Sequence, residues 1–435
     1  MSYTPKYHVF VFEDYSFNIE TNEAIFTYSF DEKRFFTERV LFQKVDQPYD
    51  ADALERALSL SFWLVGTSYF KLFPTPDVML KKALPDQWQA NFLTEVYTQG
   101  LSQFMFENEL TRANMPRFEA LQTDLPTTVT YQPKGVVALQ SGGKDSLLLS
   151  QLLHQAAIRY TPWYLSASES HPAVLDELDA LVQTVLRRID LEAINQALQD
   201  GALNGHVPVT YIVASYAIVD AILQNKNTIL LAIGAEGNEP HEYIGDIPVN
   251  HQWSKTWQAE RLLADYVKKY IASTIQVGSP LRGFSELRIA ELFVEKCWNS
   301  YGHAFSSCNV ANYKQGKDNQ QLTWCGECPK CANSYLLFAP FVQPKELQSL
   351  FGGTDLFKKP SLAETFKGLL GIDGVMKPFE CVGEVEELRL AYQMARTRFG
   401  EDVYQLPFTV PKSNFDYRAV RPSQEWSQEY LTAVY

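Results

Sequence analysis

The sequence predicts an α/β protein: a parallel sheet with helices on both faces over residues 131–340, preceded by an N-terminal α+β domain over residues 1–130 and followed by a C-terminal helical extension over residues 341–435. Three observations point there. Apolar and polar side chains alternate through residues 1–46; short continuous apolar runs alternate with helically spaced segments from Gly135 onward; and beyond Pro340 the spacing is helical, punctuated by Gly352-Gly353, Gly371 and Gly374.

Residues 7–12, 23–29 and 37–42 alternate in polarity and are separated by turns containing Asn and Asp, the pattern of an antiparallel meander. Apolar spacings of three and four over residues 52–64 and 84–108 predict helices. Val136-Val137-Ala138-Leu139 is a continuous apolar run of the kind that fills a buried parallel strand, and residues 147–157 return to helical spacing. A strand over 163–166, helices over 173–187 and 211–223, and a strand over 228–233 complete the alternation, which indicates a parallel sheet covered on both faces. Ligands in such sheets collect at the carboxyl ends of the strands. Residues 141–146 and 234–239 both fall there.

Composition narrows the function classes. An apolar fraction of 46% and a charged fraction of 20% describe a globular chain with no low-complexity tract and no solenoid repeat. The longest apolar stretches, residues 207–223 and 228–233, are broken by polar residues, so no membrane span is expected. The first residues lack the charged and apolar regions of a secretory signal, and a cytoplasmic location is expected. The net charge of −13, with basic clusters no longer than pairs such as Lys268-Lys269, argues against a nucleic-acid partner, whose phosphates call for a basic surface. Small anionic substrates remain open.

Ser141-Gly142-Gly143-Lys144-Asp145-Ser146 follows a buried strand and opens a helix. Two glycines let the backbone turn tightly and approach a phosphate without a Cβ clash. The free N–H groups and the positive end of the helix dipole favour an anion there. Lys144 adds a mobile charge and Ser141 and Ser146 add hydroxyl donors, while Asp145 is an acid suited to hold Mg²⁺ or to orient the loop. The pattern differs from a Walker A loop. It matches the PP-loop signature of enzymes that cleave ATP to AMP and pyrophosphate.

Six cysteines in a chain without a signal peptide read as metal ligands or reactive thiols. Cys325, Cys328 and Cys331 are separated from one another by two residues each, and Cys308 lies seventeen positions before the first of them. Four thiolates with Gly326 and Pro329 in the turn suit a closed, tetrahedral Zn²⁺ site of structural type. An iron–sulfur cluster and reduced thiols without metal are the competing readings. Cys297 and Cys381 lie outside the set.

Pro280-Leu281, Ser307-Cys308 and the Cys-Gly-x-Cys-x-x-Cys run are shared with several PP-loop enzymes, the 7-cyano-7-deazaguanine synthases among them. Other segments are not of that type: residues 234–238, Asn250-His251-Gln252-Trp253-Ser254-Lys255, residues 280–286 and Lys377-Pro378-Phe379-Glu380-Cys381-Val382-Gly383. Together with residues 305–309 they resemble the UDP-N-acetylmuramoyl-L-alanyl-L-glutamate epimerase family, MurL, over most of the chain. The resemblance implies a peptidoglycan precursor enzyme. It would activate the terminal L-Glu carboxylate of UDP-MurNAc-L-Ala-L-Glu with ATP and Mg²⁺, invert Cα through an acyl-adenylate, and release AMP, pyrophosphate and the D-Glu product.

On that expectation residues 141–146, with Lys144 and Asp145 on an exposed loop, bind the ATP phosphates. Glu236, Asn238 and Glu239 are placed to hold Mg²⁺, and Lys255 and Arg282 to meet the carboxylate or diphosphate of the substrate. Inversion needs a base on one face and an acid on the other. His251, Cys381, Lys255 and Glu236 are candidates by residue type, although His251 also reads as a structural histidine and Cys381 as a buried core residue. The rival readings are another PP-loop adenylating enzyme, acting on a deazapurine acid or on tRNA, and a non-enzymatic zinc module.

Overall fold

The computed structural model describes residues 3–44, 47–123, 131–313 and 320–434. The junction expected at residue 130 falls within 124–130, outside the described residues. The strands are β1 (Val9–Asn18), β2 (Glu23–Phe30), β3 (Arg34–Leu41), β4 (Asp77–Leu80), β5 (Val136–Leu139), β6 (Thr161–Ser166), β7 (Gln183–Ile189), β8 (Thr228–Leu230), β9 (Glu242–Ile244), β10 (Ile247–Val249) and β11 (Gln276–Gly278). Nine of them form one mixed, mostly parallel sheet in the order β11-β8-β5-β6-β7-β3-β2-β1-β4, and β9 and β10 form a separate hairpin. From β11 to β7 every pairing is parallel; β7, β3, β2 and β1 then pair antiparallel.

Side chains alternate across the sheet, so its strands feed two cores. Val137, Ile229 and Val277 face the first, with the helices Ala51–Phe70 and Val209–Leu223. Val136, Ala138 and Leu230 face the second, with the helices Lys144–Gln155, Glu286–Lys296 and Pro329–Phe338. The expected helices on both faces are there. Helix Ala51–Phe70 starts where Asp50 accepts from the Ala53 N–H, and helix Gln87–Gln99 starts at an Asp86–Gln89 capping box.

The antiparallel and parallel halves are joined at β3 and β7. Glu38 is fully buried there and takes a two-pronged contact from Arg187, at 2.6 and 3.1 Å. Tyr69 and Tyr216 hydroxyls donate to the same carboxylate. A buried ion pair with its remaining acceptor sites filled in this way specifies one register.

The helix expected over 173–187 is not formed. A short 3-10 turn, Ala173–Glu177, is followed by strand β7. The helical spacing of the apolar residues is misleading because Leu181 lies 95% exposed. The β-branched Thr184, Val185 and Ile189 favour a strand, and β6 and β3 supply partners on both edges. The expected helix over 84–108 is two helices, Gln87–Gln99 and Ser102–Glu107.

The C-terminal part is helical, with Pro344–Leu350, Ala363–Leu369, Val385–Phe399 and Gln428–Val434. Between the second and third of these the chain returns to the carboxyl ends of the strands. Lys377 Nζ lies 2.9 Å from Glu239, the Gly383 N–H donates to Asn333 Oδ1 at 2.9 Å, and the Val385 N–H donates to Glu239. No helix among the described residues is long and apolar enough to cross a membrane.

Candidate active site

The chain leaves β5 for β6 and β7 on one side and returns to β8 and β11 on the other, so the strand order reverses between β5 and β8. That reversal opens a crevice at the carboxyl ends of the strands, and residues 141–146 line its floor. Gly142 adopts φ +74°, and a Cβ there would meet Leu322 Cδ1 at 2.4 Å, so backbone and packing both require glycine. Helix Lys144–Gln155 begins at Gly143 with no side-chain cap, leaving first-turn N–H groups for an anion. Ser141 and Ser146 hydroxyls meet at 3.3 Å inside the loop.

Lys144 is not on an exposed loop. Its ammonium is largely buried between Asp145, at 2.7 Å, and Glu286. Burial pushes the Glu286 carboxyl well above the usual range against the pull of Lys144, and Asp145 and Glu236 push it further. Glu286 Oε1 is buried without a hydrogen-bond partner among the described residues. Burial alone would also raise Glu236, but the charges of Lys255, Lys144 and Arg282 hold it below the ordinary carboxylate value. Three crowded acids with an orphaned oxygen fit a Mg²⁺ that takes one or two carboxylates and completes its shell with phosphate oxygens.

The crevice beside the loop, about 220 Å³, is lined by the apolar Leu139, Val209, Val213, Leu231 and Ile233 and by the polar Gln140, Ser141, Ser146 and Lys255. Gln140 is 8% exposed. Its Nε2 donates to Ala138 O at 3.2 Å and to Ser150 Oγ at 3.0 Å, which fixes the amide. Its Oε1 is left buried and unpartnered among the described residues. A largely apolar crevice lined by a residue with an unmet acceptor fits a base that carries an amino group, such as adenine.

From the same crevice Lys255 also faces Glu236 and Cys381, and His251 lies beside Cys381. Lys255 Nζ lies 3.3 Å from Glu236 Oε1. Burial would lower the Lys255 ammonium, but Cys381, Glu236, Asp145 and Glu286 hold it well above the ordinary lysine value, so it stays charged. Cys381 is half-buried beside His251. Burial pushes its thiol up; Lys255, Lys330 and His251 pull it down by more, to about 6. A thiolate beside an imidazole and an ammonium can accept a proton from carbon and stabilise the anion left behind.

The four cysteines Cys308, Cys325, Cys328 and Cys331 come together with all sulfurs within 4.8 Å of one another. Pairs stand 3.6 to 3.7 Å apart. A tetrahedral zinc with Zn–S bonds of about 2.3 Å needs sulfur separations of about 3.8 Å; a cluster of several irons would spread the thiolates further. Backbone N–H groups of Gly326, Glu327 and Ala311 point at Cys331, Cys325 and Cys308 sulfurs and favour their thiolate forms. The group can therefore hold a metal such as zinc. It also braces the cleft: the Ser306 N–H donates to Gly142 O, and Asn333, on the helix opened by Cys328, accepts from Gly383 beside Cys381.

Three of the expected ligands are placed differently. Arg282 is 1% exposed and its fork is spent on Glu260, at 2.8 and 2.9 Å, and on Gly234 O, at 2.6 Å. Asn238 is exposed on the rim and donates to Glu384, and Glu239 receives Lys377 and the Val385 N–H. These groups anchor the 234–239 segment and clamp the C-terminal return over it. Gln140 and Glu286 were not singled out from sequence. Gln140 carried a signal, a polar residue closing a buried strand directly before the loop; Glu286 at a helix N-terminus looks like an ordinary dipole partner.

The chain matches the MurL N-terminal domain over residues 1–279 and the MurL C-terminal domain over residues 304–405. Three relatives are described as UDP-N-acetyl-alpha-D-muramoyl-L-alanyl-L-glutamate epimerase. That of Salinispora tropica is 32% identical over 90% of this chain and 85% of its own length. That of a Micromonospora species is 32% identical over 88% and 86%, and that of Xanthomonas oryzae pv. oryzae 30% over 87% and 84%.

Proposed function

The chain belongs to the MurL family, and from that premise we propose that it inverts the terminal L-Glu of UDP-MurNAc-L-Ala-L-Glu to D-Glu in peptidoglycan precursor synthesis. ATP activates the Glu α-carboxylate, and AMP and pyrophosphate are released. The observation that carries the reading is the convergence on one cleft of the 141–146 loop and the Cys381–His251–Lys255 group.

A carboxylate beside Cα resists deprotonation, because a second negative charge would build on the same group. Attack of one carboxylate oxygen on the α-phosphorus of ATP expels pyrophosphate and gives an acyl-adenylate, which removes that charge and acidifies the α-proton. The first-turn N–H groups after Gly143 and the Lys144 ammonium would hold the phosphates, Gln140 Oε1 would accept from the adenine amino group, and Asp145, Glu236 and Glu286 would hold Mg²⁺. Mg²⁺ would neutralise phosphate charge as the bond breaks. Cys381, as thiolate, takes the α-proton, and the Lys255 ammonium stabilises the enolate oxygen. Reprotonation from the opposite face and hydrolysis of the adenylate give the D-Glu product and AMP.

With UDP-MurNAc-L-Ala-L-Glu, ATP and Mg²⁺, chromatography should detect AMP, pyrophosphate and the D-Glu epimer. Free L-Glu should give no comparable turnover, since the UDP-sugar supplies the binding energy that positions the carboxylate. AMP formed only with a deazapurine acid or a tRNA would overturn the epimerase assignment.

A further inference from the structure

The N-terminal part of the chain reaches the cleft through helix Ser102–Glu107. Gln103, 6% exposed, donates from Nε2 to Glu107 Oε1 at 2.7 Å. A carboxylate at neutral pH can only accept, so the Gln103 amide is fixed with its oxygen pointing the other way. That oxygen lies 2.7 Å from His251 Nδ1. It too can only accept, so Nδ1 carries the proton and Nε2 keeps its lone pair. Cys381 lies beside His251, whose imidazole lowers its thiol. Each donor and acceptor in the series Glu107, Gln103, His251 is set by its neighbour.

We propose that Gln103 and Glu107 are positioning residues for proton transfer at Cys381, holding His251 as its Nδ1–H tautomer so that Nε2 takes the thiol proton. The S–H bond breaks, an N–H bond forms at Nε2, and the sulfur electron pair becomes free to accept the α-proton. The inference rests on Cys381 acting as the base.

The other charged or titratable groups facing this pair do not supply that orientation. Lys255 and Lys330 act on the thiol as ammonium charges. His206 and His241 lie 4.3 and 6.4 Å from the His251 ring, centroid to centroid. Burial pushes both down to about 3, with His251 and Lys71 adding to the effect at His206 and Lys377 and His251 at His241, so both rings are neutral near pH 7.

The pH dependence of Cys381 alkylation by iodoacetamide, read by peptide mass spectrometry on the zinc-loaded full chain, tests this directly. Gln103→Leu removes the acceptor and should move the alkylation midpoint up by about one pH unit or more, with kcat falling about tenfold or more at unchanged KM for ATP. Gln103→Glu places a negative acceptor against Nδ1–H, stabilises the imidazolium, and should move the midpoint down. A merely structural role does not produce shifts of opposite sign. Midpoints unchanged in both variants, or displaced the same way, overturn the inference. Should Cys381→Ala epimerise at the wild-type rate, the base assignment beneath it fails instead.

Discussion

Lys144 stands between two carboxylates, so its removal acts on more than the ligand. Lys144→Ala leaves Asp145 and Glu286 facing one another and removes the charge proposed to hold the phosphates. Pyrophosphate release should fall on the order of 10²-fold or more, with circular dichroism unchanged, and wild-type turnover in this variant would take the loop out of the mechanism. Gln140→Leu should raise KM for ATP and weaken the preference for ATP over GTP about tenfold, because the orphaned acceptor is gone; unchanged nucleotide preference would remove Gln140 from base recognition. The loop residues were legible in the sequence because six of them are contiguous and their types explain each other. Glu286 is 142 positions from Lys144, and Gln103 is 148 from His251. Pairings at that separation are created by the fold, and a Gln and Glu four apart on a helix read as ordinary surface residues.

At the scale of elements, the cysteine site and the buried helix contacts carry the tests. Cys325→Ser or Cys328→Ser should lose one bound metal ion per chain by elemental analysis and lower the melting temperature, since such a site contributes directly to folding. Activity should fall with them, because the same knuckle braces Gly142 through Ser306 and Gly383 through Asn333. Freshly purified protein without zinc or iron would contradict this. Asp220, on helix Val209–Leu223, is fully buried and accepts from Trp163, Gln183 and Gln224. Burial raises its carboxyl to about 7 despite Lys226. Its folded value lies above its unfolded one, so its contribution is complete below about pH 4 and is lost as pH rises through about 7. Asp220→Asn should therefore gain stability relative to wild type between pH 5 and about 8, measured as the difference in denaturant midpoints; a constant difference would contradict it. The strand–helix alternation around the loop was legible from apolar spacing, and the failure at 173–187 has a clear cause. Spacing reports amphipathicity, and an apolar residue left in solvent, Leu181, completes a helical pattern that the sheet does not use.

Across the whole molecule, one sheet runs from β11 to β4 and a C-terminal return closes over its carboxyl edge. Three distant parts of the chain meet there: Gln103 from the first helices, the 141–146 loop, and Cys381 beyond the zinc-type knuckle. The sequence suggested the parts but not their meeting, since Cys381 beside Val382 reads equally as core until His251 and Lys255 are placed against it. The central claim is that nucleotide activation and Cα inversion share this cleft but use different groups. It is tested most directly by incubating Cys381→Ala and wild type with UDP-MurNAc-L-Ala-L-Glu, ATP and Mg²⁺ in deuterated water, following pyrophosphate and Cα deuterium together. Wild type should give both pyrophosphate and a D-Glu product deuterated at Cα, while Cys381→Ala should still release pyrophosphate with little or no deuterium at Cα. Wild-type deuterium incorporation in Cys381→Ala, or none in wild type, would contradict the account.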